Sequence, residues 1–262
     1  MIGIFDSGVG GLTVAREVLR QLPGVQIVYF GDTARAPYGP KGPDVIRRYA
    51  DEDIALLTKV GATVVIAACN TVSAVTYDAL QQKHVVPVFE VVTPAIEEAL
   101  RVSQTKRIGV IGTRATVDSG VYPRVLTQRD RDVAVHQRAC PLLVALVEED
   151  WLRRPETTRI VRTYLTPLKR QDVDTLILGC THYPFLRDTI QAKMSRRVTL
   201  VDPAAATTVR VKAFLAEHPD VDQRVTRGSA HRFLFSDVNP HVQEIANRWL
   251  AKKVRLEQAN AG

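Results

Sequence analysis

The chain has 262 residues, of which 45% are hydrophobic and 24% are charged, and its formal net charge is +7. This composition is that of an ordinary soluble globular protein with room for one large domain or two small ones. No apolar run reaches the roughly 18 residues that a membrane span needs, and the basic residues are dispersed without an aromatic-rich RNA-binding pattern, so neither a membrane nor a nucleic-acid partner is expected.

Short apolar runs alternate along the chain with segments whose apolar residues recur at helical spacing. The predicted strands are Ile2–Phe5, Val25–Gly31, Thr63–Ala68, Pro87–Phe89, Arg107–Ile111, Val133–His136, Thr175–Leu178 and Val198–Val201. The predicted helices include Leu12–Leu22, Val45–Val60 and Tyr183–Met194. Strands that alternate with helices predict parallel α/β layers. The tail after Trp249 is polar, and we expect it to be loosely held.

Three segments near the N-terminus recur later in the chain, in the same order and at similar offsets. Each match alone is short enough to arise by chance, but their common order and spacing favour an internal duplication. We therefore predict two pseudo-symmetric, parallel-sheet α/β domains with the active site in the cleft between them. The matching pairs are Ile2–Ser7 with Ile108–Thr113 (offset 106), Thr63–Thr71 with Asp174–His182 (offset 111), and Val86–Glu90 with Val198–Asp202 (offset 112).

Cys69 and Cys180 occupy equivalent positions of this repeat, at the carboxyl ends of predicted strands, where parallel sheets carry functional residues. A lone cysteine there is more often inert and buried, but two at equivalent positions favour function. A helix that starts just after a thiol lowers its pKa, so we expect thiolates. The chain has three cysteines and no CxxC motif, which predicts no zinc site, no disulfide framework and a reducing cytoplasm; Cys140 is predicted to be structural.

Few reactions use two facing thiols. A cysteine hydrolase needs one cysteine and a histidine, and a dithiol redox site usually holds both sulfurs in a short motif. A cofactor-independent racemase needs one base on each face of a planar carbanion, since one base removes the α-proton while the other, protonated, returns a proton. No lysine stands at a predicted strand end to hold pyridoxal phosphate. The residues therefore favour a racemase with no cofactor and no metal.

Four blocks of the sequence resemble the signatures of bacterial glutamate racemases, in the same order, and the resemblance spans roughly residues 2 to 207. A weaker block, Cys140–Glu148, also fits. The four blocks are Ile4-Phe5-Asp6-Ser7-Gly8-Val9-Gly10-Gly11-Leu12-Thr13, Gly31-Asp32-Thr33-Ala34-Arg35-Ala36-Pro37-Tyr38-Gly39, Ala68-Cys69-Asn70-Thr71-Val72-Ser73-Ala74 and Leu178-Gly179-Cys180-Thr181-His182-Tyr183-Pro184.

The resemblance implies that Cys69 is the base for D-glutamate, assisted by Asp6, and that Cys180 is the base for L-glutamate, assisted by Glu148 and His182. Taken singly, these polar residues also suit structural roles: turn formers for Asp6 and Asp32, a solvated helix charge for Glu148 and a helix cap for His182. The substrate-binding residues that the resemblance implies are Asp6, Ser7, Tyr38, Gly39, Asn70, Thr71, Thr181 and His182.

The resemblance further implies an N-terminal domain of residues 1–92 with 205–262, a second domain of residues 93–204, and a homodimer. It also implies a D-glutamate product that feeds peptidoglycan synthesis. The chain departs from the family's usual residues at Glu90, Thr93 and Pro203, which puts hinge motion and dimer geometry in question. The alternatives are an aspartate racemase, against which the Asp6-Ser7-Gly8 loop argues, and a secondary role in regulating a DNA topoisomerase.

Overall fold

The computed structural model describes residues 1–80 and 84–262, and the strands in these ranges form two separate sheets. The strands are β1 (Ile2–Asp6), β2 (Ile27–Gly31), β3 (Val64–Ala67), β4 (Val88–Glu90), β5 (Arg107–Gly112), β6 (Ala134–Ala139), β7 (Thr175–Gly179), β8 (Thr199–Val201), β9 (Arg232–Phe235) and β10 (Leu256–Gln258). Six strands form one sheet in the order β10-β9-β2-β1-β3-β4, and four form the other in the order β6-β5-β7-β8.

Helices cover the sheets and connect successive strands. They are α1 (Leu12–Gln21), α2 (Pro43–Lys59), α3 (Asn70–Val75), α4 (Val92–Val102), α5 (Arg114–Asp118), α6 (Val121–Arg129), α7 (Leu142–Glu148), α8 (Pro155–Lys169), α9 (Arg187–Met194), α10 (Pro203–Glu217), α11 (Pro219–Arg224) and α12 (Pro240–Trp249). Two 3-10 turns lie at Thr33–Arg35 and Tyr183–Leu186. Within the described ranges, no helix combines the length and the apolar character that crossing a bilayer requires.

The predicted duplication is visible in the order of the strands. The order β2-β1-β3-β4 in the first sheet repeats as β6-β5-β7-β8 in the second, and the strands of both quartets pair in parallel. Strands such as β1 and β7 are buried along their whole length, as expected where helices cover both faces of a parallel sheet. The prediction of two parallel-sheet α/β halves is confirmed.

One apolar core joins the halves. The same cluster of buried side chains includes Ile4 of β1 and Leu178 of β7, together with residues of α1 and α10. The two crossover helices, α4 and α10, contact each other. Each begins beside a carboxylate at the carboxyl end of a strand, the buried Glu90 after β4 and the partly buried Asp202 after β8. Glu90 accepts the N–H of Thr93 at 3.0 Å, and Asp202 accepts that of Ala204 at 2.9 Å. The domain boundaries at residues 92/93 and 204/205 fall at the starts of these helices and stay a prediction.

The expectation of a loosely held polar tail after Trp249 is wrong. Residues Leu256–Gln258 form β10, which pairs in parallel with β9, and Arg232 binds Glu257 at 2.6 Å across the two strands. The strand β10 has only three residues and lies at the edge of the sheet, so the order of the tail depends on its neighbour β9 more than on its own apolar pattern. The predicted helix Tyr183–Met194 is also corrected, since a 3-10 turn takes its first part and α9 begins at Arg187.

The β9 strand supplies a core side chain that the sequence pattern did not single out. Phe235 is fully buried, and its ring lies 5.5 Å from that of Tyr29 on β2. Phe235→Ala should therefore lower the free energy of unfolding by about 3–5 kcal/mol, measured by chemical denaturation followed by circular dichroism. Val209→Ala, at a side chain that is 59% exposed on α10, is the control and should change it by about 0.5 kcal/mol or less. Equal effects of the two substitutions would contradict this account of the core.

Candidate active site

A cavity of about 520 Å³ opens between the carboxyl ends of the two sheets' strands. Its wall includes every predicted site residue except Asp6, and it also includes residues that the sequence did not single out, such as Thr113 and Arg114. The lining residues are Ser7, Gly8, Ala36, Pro37, Tyr38, Gly39, Pro40, Cys69, Asn70, Thr71, Thr113, Arg114, Pro141, Val144, Ala145, Glu148, Cys180, Thr181 and His182.

Cys69 follows β3 and directly precedes α3, so its thiol lies at the N-terminus of that helix. The side chain is buried, and its S–H points to the Ser7 hydroxyl at 3.6 Å. Burial, together with the nearby charge of Asp6, raises the pKa of Cys69 to about 12. The expectation of a thiolate at this position is wrong for the free protein, because loss of water outweighs the dipole of a six-residue helix.

Asp6 ends β1 and lies just behind the cavity wall, where it is 1% exposed. Its carboxylate accepts the N–H of Gly8 at 3.0 Å, and the Thr181 hydroxyl lies 3.5 Å away. Burial raises the pKa of Asp6, although the charge of His182 opposes the shift. Asp6 thus links the first half of the molecule to the loop that carries Cys180.

Cys180 follows β7 and is flanked by a histidine and a carboxylate. Its sulfur lies 3.7 Å from Nδ1 of His182, and Nε2 of His182 lies 2.8 Å from Glu148 on α7. Burial disfavours the charged imidazole, but the hydrogen bonds with Cys180 and Glu148 prevail and raise the pKa of His182 to about 10. The expectation that a helix begins directly after Cys180, as one does after Cys69, is wrong, because a 3-10 turn follows it instead. The positive charge next to Cys180 comes from the histidine.

The glycine-rich loop after β1 lies against the Cys180 loop. A Cβ added to Gly10 would stand 2.1 Å from the Thr181 hydroxyl and 2.6 Å from the His182 ring. Any larger residue would therefore displace the two side chains that follow Cys180. Thr13, one turn along, donates its hydroxyl to the backbone carbonyl of Thr181 at 3.2 Å and holds the same loop in place.

Residues of the second half hold the polar wall next to Cys69. The hydroxyl of Tyr122 on α6 donates to Oδ1 of Asn70 at 3.1 Å, which leaves the Asn70 amide N–H groups for other partners. The hydroxyls of Thr71 and Thr113 lie 2.9 Å apart across the cleft. Thr113 aligns with Ser7 in the internal repeat, a signal that could have identified it, whereas nothing local marks Tyr122.

The geometry limits what this site can do. Cys69 and Cys180, from equivalent positions of the two halves, line one cavity together with hydroxyl, amide and imidazole groups. Cys140 does not line the cavity, and its S–H points to the Arg138 carbonyl at 3.5 Å. Across residues 1–80 and 84–262, no group of three His, Cys, Asp or Glu side chains is arranged to hold a metal ion.

Comparisons with known proteins place the chain among racemases. Residues 2–211 match the family described as Asp/Glu/hydantoin racemase. A curated glutamate racemase from Desulforudis audaxviator is 50% identical over 206 residues, which cover 79% of this chain and 76% of that protein. The crystal structure of a glutamate racemase isoform from Bacillus anthracis superposes with a TM-score of 0.94 at 36% identity, covering 99% of this chain and 97% of that one.

A second solved structure carries a ligand. A glutamate racemase from Francisella tularensis, in complex with D-glutamate, superposes with a TM-score of 0.90 at 29% identity. The aligned region covers 99% of this chain and 97% of that chain. The likeness therefore extends over both sheets and over the cleft between them.

The contact between His182 and Glu148 yields a pH prediction. Because the raised pKa of His182 depends on Glu148, Glu148→Gln should move the imidazole titration from about 10 toward lower pH. The titration is measured by ¹H–¹⁵N NMR of the histidine side chains. Glu149→Gln, at the exposed neighbouring carboxylate, is the matched control and should leave the His182 titration unchanged. An unaltered titration in Glu148→Gln would show that the ion pair does not set this pKa.

Proposed function

This chain belongs to the Asp/Glu/hydantoin racemase family, and we propose that it interconverts L- and D-glutamate by two-base proton transfer at Cα without a cofactor. The observation that carries the proposal is the pair of sulfurs, Cys69 and Cys180, that open from opposite halves onto one cavity. The names of the relatives support glutamate as the substrate. D-glutamate would then serve peptidoglycan synthesis, and we expect a cytoplasmic homodimer.

In the direction from L- to D-glutamate, the Cys180 thiolate removes the α-proton while the Cys69 thiol donates a proton to the opposite face of the carbanion. The protonated His182 stands beside Cys180 and stabilises its negative charge, and Glu148 holds the imidazole in place. The high pKa of Cys69 supports its role as the acid in this direction.

In the reverse direction the two sulfurs exchange roles. Cys69 must first lose its proton, and the adjacent Asp6 is the group that assists this step, because its own pKa is raised by burial. Cys180 must first receive a proton, which the adjacent His182 can supply. The Cys69 thiolate then takes the α-proton of D-glutamate, and the Cys180 thiol returns its proton to the other face. The number of protons on the enzyme is unchanged by each turnover, although their positions differ.

The polar groups of the wall suit an amino acid with two carboxylates. Hydroxyl and amide donors at Ser7, Asn70, Thr71 and Thr181 can bind the carboxylates, and Asp6 can offset the ammonium charge. The segment Tyr38–Gly39 closes the cavity on the side of the first half.

Removal of either sulfur tests the assignment of the two bases. Cys69→Ala and Cys180→Ala should each lower racemisation of both enantiomers by about 10⁴-fold or more, since each lacks one proton-transfer partner. Circular dichroism at a fixed wavelength follows the reaction, because the ellipticity of the solution changes as one enantiomer is converted to the other. Cys140→Ala is the matched control, because Cys140 is equally buried but lies outside the cavity wall, and it should retain turnover. Near-normal turnover in either of the first two variants would refute the assignment.

The substrate class is tested with the wild-type protein. After dialysis against a chelator and with no added cofactor, kcat/KM for L- and D-glutamate should exceed that for L- and D-aspartate. A carboxylate placed one methylene short leaves buried donors unpaired at a cost of about 1–3 kcal/mol per group. Comparable kcat/KM on aspartate would argue for the aspartate alternative. Activity that returns only with added metal or pyridoxal phosphate would argue against the cofactor-independent mechanism.

A further inference from the structure

A cluster of charged side chains lies behind Tyr38, outside the cavity. Asp32, directly after β2, accepts hydrogen bonds from Nε of Arg35 at 2.5 Å and from the hydroxyl of Tyr38. Arg35 also donates Nη2 to Asp53 of α2 at 3.1 Å, and it binds Glu52 with Nη1. The side chains of Asp32 and Asp53 are fully buried, so these contacts are screened little by solvent.

The cluster contains more acid than base. Arg35 meets the three carboxylates of Asp32, Glu52 and Asp53, and the second cation nearby, Arg48, reaches only Glu52, at 3.8 Å. Burial, and then the charge of Asp32, raises the pKa of Asp53 well above its usual range. The Oδ2 atom of Asp53 lies 3.3 Å from the Tyr38 hydroxyl. The Tyr38 hydroxyl is the donor in this cluster, with Asp32 as its nearer acceptor and Asp53 as the second.

This chain of hydrogen bonds fixes how Tyr38 faces the cavity. Its side chain is fully buried and its hydroxyl is engaged with the two aspartates, so the hydroxyl is turned away from the cavity. What the segment offers to a ligand is the backbone at Tyr38 and Gly39. Gly39 also lies close to the second half of the molecule, since a Cβ added to it would stand 3.3 Å from Cβ of Thr113.

The Tyr38–Gly39 segment has little regular structure of its own. Between β2 and α2 the backbone forms only the 3-10 turn Thr33–Arg35. The helix α2 has 17 residues, and Asp53 lies in it, one turn after the ring of Tyr49, which stacks under the Arg35 guanidinium at 4.0 Å. A rigid helix thus supplies the anchor that the loop lacks.

We propose that Asp53 is a positioning residue that acts through Tyr38 to fix the cavity wall at Tyr38–Gly39, where a carboxylate of the substrate binds. The proposal rests on the proposed function for its substrate. It predicts that loss of Asp53 weakens binding of both enantiomers in the ground state and in the transition state alike, because the wall moves while the two sulfurs stay in place. KM should then rise while kcat changes little.

The test uses four variants of the full chain, each assayed for KM and kcat with L- and D-glutamate. Asp53→Ala and Tyr38→Phe should each raise KM by about tenfold for both enantiomers and leave kcat within about threefold. Asp53→Asn, a neutral residue of the same shape, should keep KM within about threefold of the wild type. Asp44→Asn, at a 96% exposed side chain of the same helix, is the control and should change neither constant.

A double variant tests whether the two residues act together. In Tyr38→Phe combined with Asp53→Ala, KM should be no higher than in the worse single variant, because both changes break one chain of hydrogen bonds. If the fold-increases in KM of the two single variants multiply in the double variant, the Tyr38 hydroxyl acts independently of Asp53 and the proposal is overturned. So would an unchanged KM in Asp53→Ala, a fall in kcat alone, or an Asp53→Asn variant as impaired as Asp53→Ala.

The assay of the wild-type protein distinguishes failure of the positioning role from failure of the proposed function. If the wild-type protein racemises glutamate and the variants behave as wild type, the proposed function stands and the positioning role falls. If the wild type does not racemise glutamate, the proposed function itself fails. Should Asp53→Ala not fold, as judged by its thermal unfolding, Tyr38→Phe and Asp53→Asn still decide the matter, since a normal KM in Tyr38→Phe contradicts the role.

Discussion

Burial of the titratable side chains around the cleft is the constraint on which the rest of the site depends. The buried groups around it have to be paired or neutral, and the structure meets that demand differently on its two sides. On the first side, burial raises the pKa of Cys69 to about 12, so this thiol keeps its proton. His182 instead keeps a positive charge because Cys180 and Glu148 contact both of its ring nitrogens.

The two halves therefore share a fold without sharing their chemistry. Each half brings a cysteine to the end of its third strand, and both cysteines line the same cavity. The first half surrounds its cysteine with a carboxyl group and a hydroxyl, and the second with an imidazole and a carboxylate. Such a difference suits an enzyme in which one sulfur starts as an acid while the other starts as a base.

Features set by short, continuous stretches could be predicted from the sequence. The strands β1, β3 and β7 are unbroken apolar runs, and the repeat placed Cys69 and Cys180 at equivalent ends. Features set by distant contacts could not. The pKa of Cys69 depends on burial and on Asp6, 63 positions away, and β10 is ordered only through its partner β9. Tyr122 reaches Asn70 from the other half, and no local pattern announces this contact.

The transfer of hydrogen at Cα in deuterated water distinguishes a mechanism with two bases from one with a single base. With L-glutamate as substrate, the account predicts that the D-glutamate formed in the first few per cent of reaction carries deuterium at Cα, because Cys69 delivers a solvent-derived proton. The recovered L-glutamate should remain protiated over the same period. Early deuterium in the recovered L-glutamate, or protium retained in the D-glutamate, would show a single shared base and contradict the account. Mass spectrometry after chiral separation distinguishes these results.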